Sequence, residues 1–207
     1  MGRTLIDAPG GVTGSGKETL AGTQTQEPRF PDLKREQMTE AQKRVYESIA
    51  GGPRGGVRGP FGPLLRSPEL ADRVQKLGEY LRFNTSLPER LNELAILINA
   101  RFWDSRYEWC AHRPLAIKGG LAESIAGDLA RNKRPANMKP EEELVYDFCT
   151  NLHRQHFVDD ALFRRAVATL GEPGVIDLIA VSGYYTLVAM VLNVAGIPLP
   201  SGEKSPW

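Results

Sequence analysis

The stretch PERLNELAILINARF (residues 88–102) decides the fold class of this 207-residue chain. Proline at its first position suits the first turn of a helix. Its apolar residues then recur every three or four positions, at Leu91, Leu94, Ala95, Ile98 and Phe102. This spacing predicts an amphipathic helix with one face in a protein core.

Helix signals continue on both sides of this stretch. Thr39-Glu-Ala-Gln42 has the pattern of a capping box, which marks the start of a helix. Helices are predicted over about 40–50, 68–84, 88–102, 106–118, 121–131, 140–154, 159–170 and 173–195. Because no segment alternates apolar and polar residues with period two, we expect an all-α fold of about eight helices.

The chain divides into an arm, a helical domain and a tail. Residues 1–35 contain few apolar residues and form a predicted flexible arm, residues 36–200 form the helical domain, and residues 201–207 form a C-terminal tail. Within the domain, GGPRGGVRGPFGP (residues 51–63) is interrupted by glycine and proline. Since it is long for a connector, we expect it to cover a site or a subunit contact.

A phosphate-binding motif in the arm is a coincidental match. GVTGSGKE (residues 11–18) resembles a nucleotide-binding loop. That loop needs serine or threonine after the lysine to hold magnesium, and a strand before it. Glu18 occupies the serine position and no apolar strand precedes Gly11, so we expect no nucleotide site here.

Composition excludes several classes of partner. The formal net charge is +1, from 26 basic and 25 acidic residues, so no overall field attracts nucleic acid or an anionic membrane. Two cysteines stand 39 positions apart without a CxxC pair, which indicates reduced thiols rather than a disulfide framework or a cysteine zinc site. The absence of a secretory signal pattern adds to the expectation of a cytoplasmic protein.

The last predicted helix carries no charged residue from Leu178 to Ile197. Its length permits a membrane span. Several polar residues within it argue against that interpretation, among them Ser182, Tyr184 and Asn193. A helix that is apolar on all sides is usually buried in a core or at a subunit interface, so we expect no membrane.

The stretch SRYEWCAH (residues 105–112) is the candidate site. Glu108 and His112 are four residues apart, so on a helix they share a face and can touch. A carboxylate beside an imidazole orients the ring and can relay protons near neutral pH. The alternative is a weak surface pair. Trp103, Tyr107 and Trp109 give the pair apolar surroundings, and this favours a functional role.

These residues resemble the carboxymuconolactone decarboxylase family, also called AhpD-like. The similar segments are ELAIL (residues 93–97), Tyr107-Glu108-Trp109, His112, Gly120-Leu121, and the closing helix and tail from Ser182 to Pro200. The resemblance covers about residues 40–200 and implies an AhpD-like helical fold. Family members commonly assemble as trimers or hexamers, so we expect a homo-oligomer.

The resemblance separates two branches of that family. In the peroxidase-supporting branch a glutamate is followed after twelve positions by a cysteine, after three more by a second cysteine, and after four more by a histidine. This chain keeps the spacing with Glu93, Ser105, Glu108 and His112 but has neither thiol. A thiol–disulfide cycle needs two cysteines within reach, so the resemblance favours the decarboxylase branch.

The resemblance implies a cofactor-free decarboxylase, or a related lyase or isomerase, acting on a small carboxylate- or lactone-bearing molecule such as arises in aromatic degradation. It assigns His112 as proton donor, Glu108 as the group that tunes and orients it, and Glu93, facing them from the adjacent helix, as a relay or hydrogen-bond partner. Ser105 is a candidate to bind substrate, and the remaining substrate-binding candidates are Tyr107, Trp109 and Arg101, with Arg106 and Arg113 nearby.

Other interpretations stay open from the residues alone. One is a thiol redox protein acting through Cys110, and another is a non-catalytic oligomeric binding protein. His153 and His156 stand three residues apart at a helix end, where a cationic side chain is favoured. With no third ligand evident, we expect a structural role for them and no metal.

Overall fold

The computed structural model of the protein describes residues 29–207. The motif at residues 11–18 and most of the predicted arm lie outside the described residues. Within them the chain is all-helical, with eight α-helices and no strand. The predicted fold class is therefore confirmed.

A short 3₁₀ turn at Arg35–Gln37 precedes the helices. They are α1 Glu40–Gly51, α2 Phe61–Leu64, α3 Pro68–Phe83, α4 Glu89–Phe102, α5 Arg106–Lys118, α6 Glu123–Ala130, α7 Pro140–Gln155 and α8 Asp160–Ala195. The predicted capping box is present at the start of α1, where the Gln42 backbone N–H donates to the Thr39 hydroxyl and the Gln42 side chain accepts from the Thr39 N–H.

Helix α4 is the centre of the fold. All ten residues from Leu91 to Ala100 are buried, because α5, α7 and α8 pack around it and α6 covers its end. The amphipathic spacing predicted one buried face, whereas the structure buries α4 on every side. Polar groups on α4 are therefore held inside the protein, where each needs a partner or costs free energy.

Helix α8 consists of two parts that meet at Gly171, whose φ of 71° and ψ of 167° are not helical. Gly171 and Pro173 were predicted to divide the segment at this point. The second part is long and apolar enough to cross a membrane by composition, but 56% of its apolar window is buried inside the protein. Such burial is typical of a core helix in a soluble fold.

The glycine-rich segment between α1 and α2 lies against α5. Gly59 has a φ of +58°, and a Cβ at this position would stand 2.8 Å from the Tyr107 ring. Two independent reasons therefore require glycine at position 59, namely the left-handed backbone and the close approach of the Tyr107 ring. This contact fixes the segment beside the first turn of α5.

Candidate active site

The central contact of the site joins α4 to α5. His112 Nδ1 lies 2.8 Å from Glu93 Oε2, and both side chains are buried. Because Nδ1 is taken by the carboxylate, Nε2 is the ring nitrogen left for a ligand. A carboxylate in this position fixes the orientation of the ring.

Glu108 is the second buried acid of the site, with only 1% of its surface exposed. Its Oε1 accepts a hydrogen bond of 3.3 Å from the Asn99 side-chain amide. Its Oε2 is buried without a partner among the described residues. Burial raises the pKa of Glu108 well above its ordinary value, and the bond from Asn99 only partly opposes this, so the group favours the neutral carboxylic acid.

Asn99 is itself held from α8. The Thr186 hydroxyl donates to Asn99 Oδ1 over 3.0 Å, and the indole N–H of Trp103 donates to the Thr186 oxygen over 3.2 Å. A continuous series of hydrogen bonds thus runs from Trp103 through Thr186 and Asn99 to Glu108. It determines which end of the Asn99 amide faces the acid.

Glu108 and His112 line a cavity of about 360 Å³. The apolar part of its wall includes Phe61 of α2 and Val188 and Leu192 of α8. Tyr185 packs edge-on against the His112 ring, with ring centroids 5.0 Å apart. Burial is the main reason that the pKa values of the lining phenols Tyr107, Tyr184 and Tyr185 are raised, so these groups stay protonated.

Three arginines also line the cavity. Arg54 and Arg58 come from the glycine-rich segment and Arg82 from α3. Within residues 29–207 none of the three forms an ion pair with a carboxylate. The cavity lining therefore carries three guanidinium groups, and burial raises the pKa of its one carboxyl group, Glu108.

Arg54 is the best positioned of the three. Its guanidinium lies 4.8 Å from the centroid of the Phe61 ring, and one of its terminal nitrogens is 3.4 Å from the Gln75 carbonyl oxygen. Its Nε is buried without a partner in the described structure. A buried donor of this kind favours an acceptor arriving from the cavity.

The sequence-predicted residues divide into two groups. Tyr107, Glu108 and His112 line the cavity, and Glu93 lies behind His112. Ser105 precedes α5, is fully buried with an unpartnered hydroxyl oxygen, and is not among the residues that line the cavity.

The structure does not bring Trp109 and Arg101 to this cavity. Trp109 is buried against Trp207, with ring centroids 5.3 Å apart. Arg101 bonds to Asp104 and to the Ala130 carbonyl oxygen and stacks over Trp207. Its guanidinium is thus engaged in structural contacts.

One expected contact is replaced by another. Helical spacing suggested that Glu108 orients His112, but the hydrogen-bond partner of His112 is Glu93. Glu108 instead bonds to Asn99 on α4. The reason is that α5 presents both residues to α4. Asn99 of α4 lies within hydrogen-bond distance of Glu108 and Glu93 of α4 lies within that distance of His112, whereas Glu108 and His112 do not bond to one another.

Sequence reasoning missed Arg54, Arg58, Arg82 and Asn99. The two arginines of the glycine-rich segment had a usable signal, because that segment was expected to cover a site and contains these cations. Asn99 had none, since an asparagine within an apolar helical pattern does not reveal its partner.

Of the remaining candidate groups, Cys110 lines the cavity beside Glu108 and His112, whereas His153, His156 and Cys149 are not among its lining residues. The His153 ring stacks on Phe102 at 4.9 Å and burial lowers its pKa, while His156 ends α7 with a left-handed backbone. Both cysteines are free thiols, and burial raises the pKa of each, that of Cys149 to about 12. Among residues 29–207 no group of three potential ligands is placed to hold a metal.

Comparison with known proteins gives one consistent result at the level of the fold. No protein-family model and no curated protein matches the chain. Solved structures of two peroxidase-related proteins are among those similar to it. One is the alkylhydroperoxidase AhpD core of an uncharacterized peroxidase-related protein from Ralstonia eutropha JMP134, with 17% identity, 84% of this chain and 93% of that chain covered, and a TM-score of 0.68.

The other is an uncharacterized peroxidase-related protein from Silicibacter sp. TM1040, with 16% identity, 86% of this chain and 95% of that chain covered, and a TM-score of 0.64. Identities this low speak for the architecture alone. Together with the eight helices packed around α4, they show that this chain has the AhpD-like fold.

Proposed function

We propose that this chain is a cytoplasmic, cofactor-free decarboxylase, or a related lyase or isomerase, acting on a small carboxylate- or lactone-bearing substrate. The observation that carries the proposal is the buried Glu93–His112 pair behind a cavity lined by arginines. An oriented imidazole supplies a proton donor or acceptor. Unpaired guanidinium groups supply recognition of a carboxylate.

The residues divide the reaction between them. Arg54 binds a carboxylate of the substrate at the cavity wall. The carbon–carbon bond to a second carboxylate breaks, carbon dioxide leaves, and the bonding electron pair moves into the conjugated carbonyl. Glu108, as a neutral acid, donates a hydrogen bond to the oxygen where charge develops. His112 Nε2 then gives its proton to carbon, and the imidazole regains a proton from water.

Proton transfer to carbon is the step to test, since it does not require the natural substrate to be identified. Unsaturated lactones with a carboxylate group are incubated with the protein in D₂O, and deuterium incorporation is followed by NMR. We expect exchange that falls about 10²–10⁴-fold in His112→Gln and Glu93→Gln, the range for loss of general acid–base catalysis. His153→Gln is the matched control, because its ring lies outside the cavity.

Two results would contradict this proposal. Equal exchange in the wild type and in His112→Gln would remove the histidine from the reaction. Peroxide turnover that depends on an added thiol and is lost in Cys110→Ser would instead favour the redox alternative.

Substrate binding gives a second test. Arg54→Gln is expected to weaken binding of a carboxylate ligand by about 10–100-fold, the worth of one charge-assisted hydrogen bond. Arg101→Gln should leave the affinity unchanged, because that guanidinium is paired with Asp104. Isothermal titration calorimetry measures both, and an equal loss in the two variants would argue against the cavity as the binding site.

We also propose that the protein forms a homo-oligomer, a trimer or hexamer, through the outward face of α8. Large apolar side chains on this face are exposed at helical spacing, 63% at Ile176 and 58% at Val194. Patches of this kind on a soluble protein mark interfaces. The exposed members between them are Ile179, Leu187 and Met190.

A second copy is the partner that suits this face, because the segment from Leu178 to Ile197 has no charge to repel its own image. Ile179→Lys with Met190→Lys should dissociate the assembly in sedimentation experiments. Phe157→Lys is the control, since Phe157 is 66% exposed and lies outside α8. A monomeric wild type at high concentration would refute the assembly.

A further inference from the structure

We propose that Trp103, Thr186 and Asn99 are positioning residues that hold the proton of Glu108 on Oε2, the oxygen that has no protein partner. The inference deepens the proposed function, because it specifies which group of the cavity wall acts as a hydrogen-bond donor. The placement of the proton rests on the direction of three consecutive hydrogen bonds. Only the use of that proton in catalysis depends on the proposed reaction.

The direction of the series begins at Trp103. An indole N–H only donates, so at its contact with Thr186 the hydroxyl oxygen must accept. The hydroxyl proton of Thr186 is then directed to its other partner, Asn99 Oδ1. The backbone carbonyl of Trp103 is held in turn by the Asn193 amide over 2.8 Å, which anchors the outer end of the series.

Asn99 transmits this direction to the acid. With Oδ1 occupied as an acceptor, the amide presents its NH₂ group to Glu108 Oε1. In a neutral carboxyl group, the oxygen that accepts from an amide serves as the carbonyl oxygen and the other oxygen carries the hydroxyl proton. The proton therefore resides on Oε2, which has no partner among the described residues, while Glu108 lines the cavity.

The inference predicts what happens when the series is cut. Without the Thr186 hydroxyl, the Asn99 amide is free to rotate and present Oδ1 to the acid. Glu108 would then donate to Asn99, and its neutral form would gain a hydrogen bond. The pKa of Glu108 would rise, because a bond that stabilises the neutral form disfavours ionisation.

The test uses infrared spectroscopy of the full-length protein with glutamate labelled by ¹³C at the carboxyl carbon. The carbonyl band of Glu108 is assigned by its loss in Glu108→Gln and is followed against pH. In Thr186→Val we expect the band to shift and the ionisation midpoint to rise by about half to one pH unit, the effect of one hydrogen bond. In Thr186→Ser both should stay at the wild-type values, since the hydroxyl is retained.

A second variant covers a failure of Thr186→Val to fold. Trp103→Phe keeps an aromatic ring but removes the N–H, and it should shift the midpoint in the same direction by less. Other charged or titratable groups facing this region stay unchanged in all variants, namely Arg54 and Arg82, Tyr184 and Tyr185, and the Glu93–His112 pair.

The proposal is overturned if Glu108 is ionised at pH 7 in the wild type, or if the folded variants leave its band and midpoint unmoved. An equal shift in Thr186→Ser also overturns it. The readout involves no turnover. A positive infrared result without deuterium exchange would therefore remove the proposed reaction and keep the placement of the proton.

Discussion

Two buried carboxyl groups in this protein have opposite environments. Asp177 on α8 is 5% exposed and accepts four hydrogen bonds, from the Tyr80 hydroxyl, the Thr85 hydroxyl, and the N–H and hydroxyl of Ser86. Glu108 is 1% exposed and accepts one, from Asn99. Similar burial therefore leads to different chemistry, depending on how many donors surround the acid.

The pKa values of the two groups move in opposite directions for this reason. Burial opposes ionisation of Asp177, but the bonds from Ser86, Thr85 and Tyr80 outweigh it and lower its pKa. Burial raises the pKa of Glu108, and one amide cannot compensate. Asp177 thus acts as a structural anion that ties α8 to the turn between α3 and α4. Glu108 is left with one buried oxygen, Oε2, that has no partner among the described residues.

The largest effect is expected from removing the structural anion. Asp177→Ala leaves four donors without their acceptor and should lower the free energy of unfolding by about 3–5 kcal/mol. Urea unfolding at pH 7 measures this. Glu69→Ala is the control and should change the stability by less than about 0.5 kcal/mol, because its partner Arg73 is also exposed. A loss below about 1 kcal/mol would show that the four bonds do not stabilise the fold.

The second effect is a difference in pH dependence. Since the pKa of Glu108 is raised on folding, its stabilising contribution is complete below its ordinary value near 4.3 and is lost as pH rises toward the folded value. Glu108→Gln removes this titration and keeps the bond from Asn99. The variant should become more stable than the wild type by up to about 1.4 kcal/mol per pH unit across that window.

Thermal or urea unfolding from pH 4 to pH 9 measures the difference in unfolding free energy between Glu108→Gln and the wild type. This difference should be near zero at the acid end. A difference that does not change with pH would mean that Glu108 titrates normally. Asp177 has the opposite sign, because its stabilisation is present at neutral pH and is lost as pH falls below about 4.

The smallest effect concerns a single donor to Asp177. Tyr80→Phe removes one bond of 3.0 Å and should lower the unfolding free energy by about 1 kcal/mol. It should also raise the pH at which stability is lost on acidification, because the Asp177 anion is then stabilised by one hydrogen-bond donor fewer. Tyr46→Phe serves as the control outside this cluster, and identical acid limbs in both variants would contradict the assignment.

Local signals in the sequence were sufficient for the fold class, but they missed the short helix α2 at Phe61–Leu64, which begins inside the segment 51–63 that was predicted not to be helical. The capping box at Thr39, the break at Gly171 and the limits of α5 depend on residues close in the chain, and each was predicted. The different environments of Glu108 and Asp177 could not be predicted from local signals of this kind. Its evidence lies in donors up to 97 positions away, as with Tyr80 and Asp177, and only packing brings them together.

The sequence predicted which residues belong to the site better than it predicted which of them are hydrogen-bonded to each other. Spacing paired Glu108 with His112, and the family resemblance added Glu93 as a relay or hydrogen-bond partner. The structure joins His112 to Glu93 and not to Glu108, because an i,i+4 relation describes one helix in isolation. The arginines of the glycine-rich segment had no periodic pattern to place them, so their approach to the cavity required the tertiary structure.

That segment has a consequence for how such a protein can diversify. The buried Glu93, Glu108 and His112 stand on α4 and α5 inside the core, whereas Arg54 and Arg58 stand on a connecting stretch held beside α5 where Tyr107 meets Gly59. Insertions and replacements are tolerated far better in a connection than in a packed helix. Under the proposed function, substrate recognition can therefore change through replacements in this connection while the buried groups of α4 and α5 are retained.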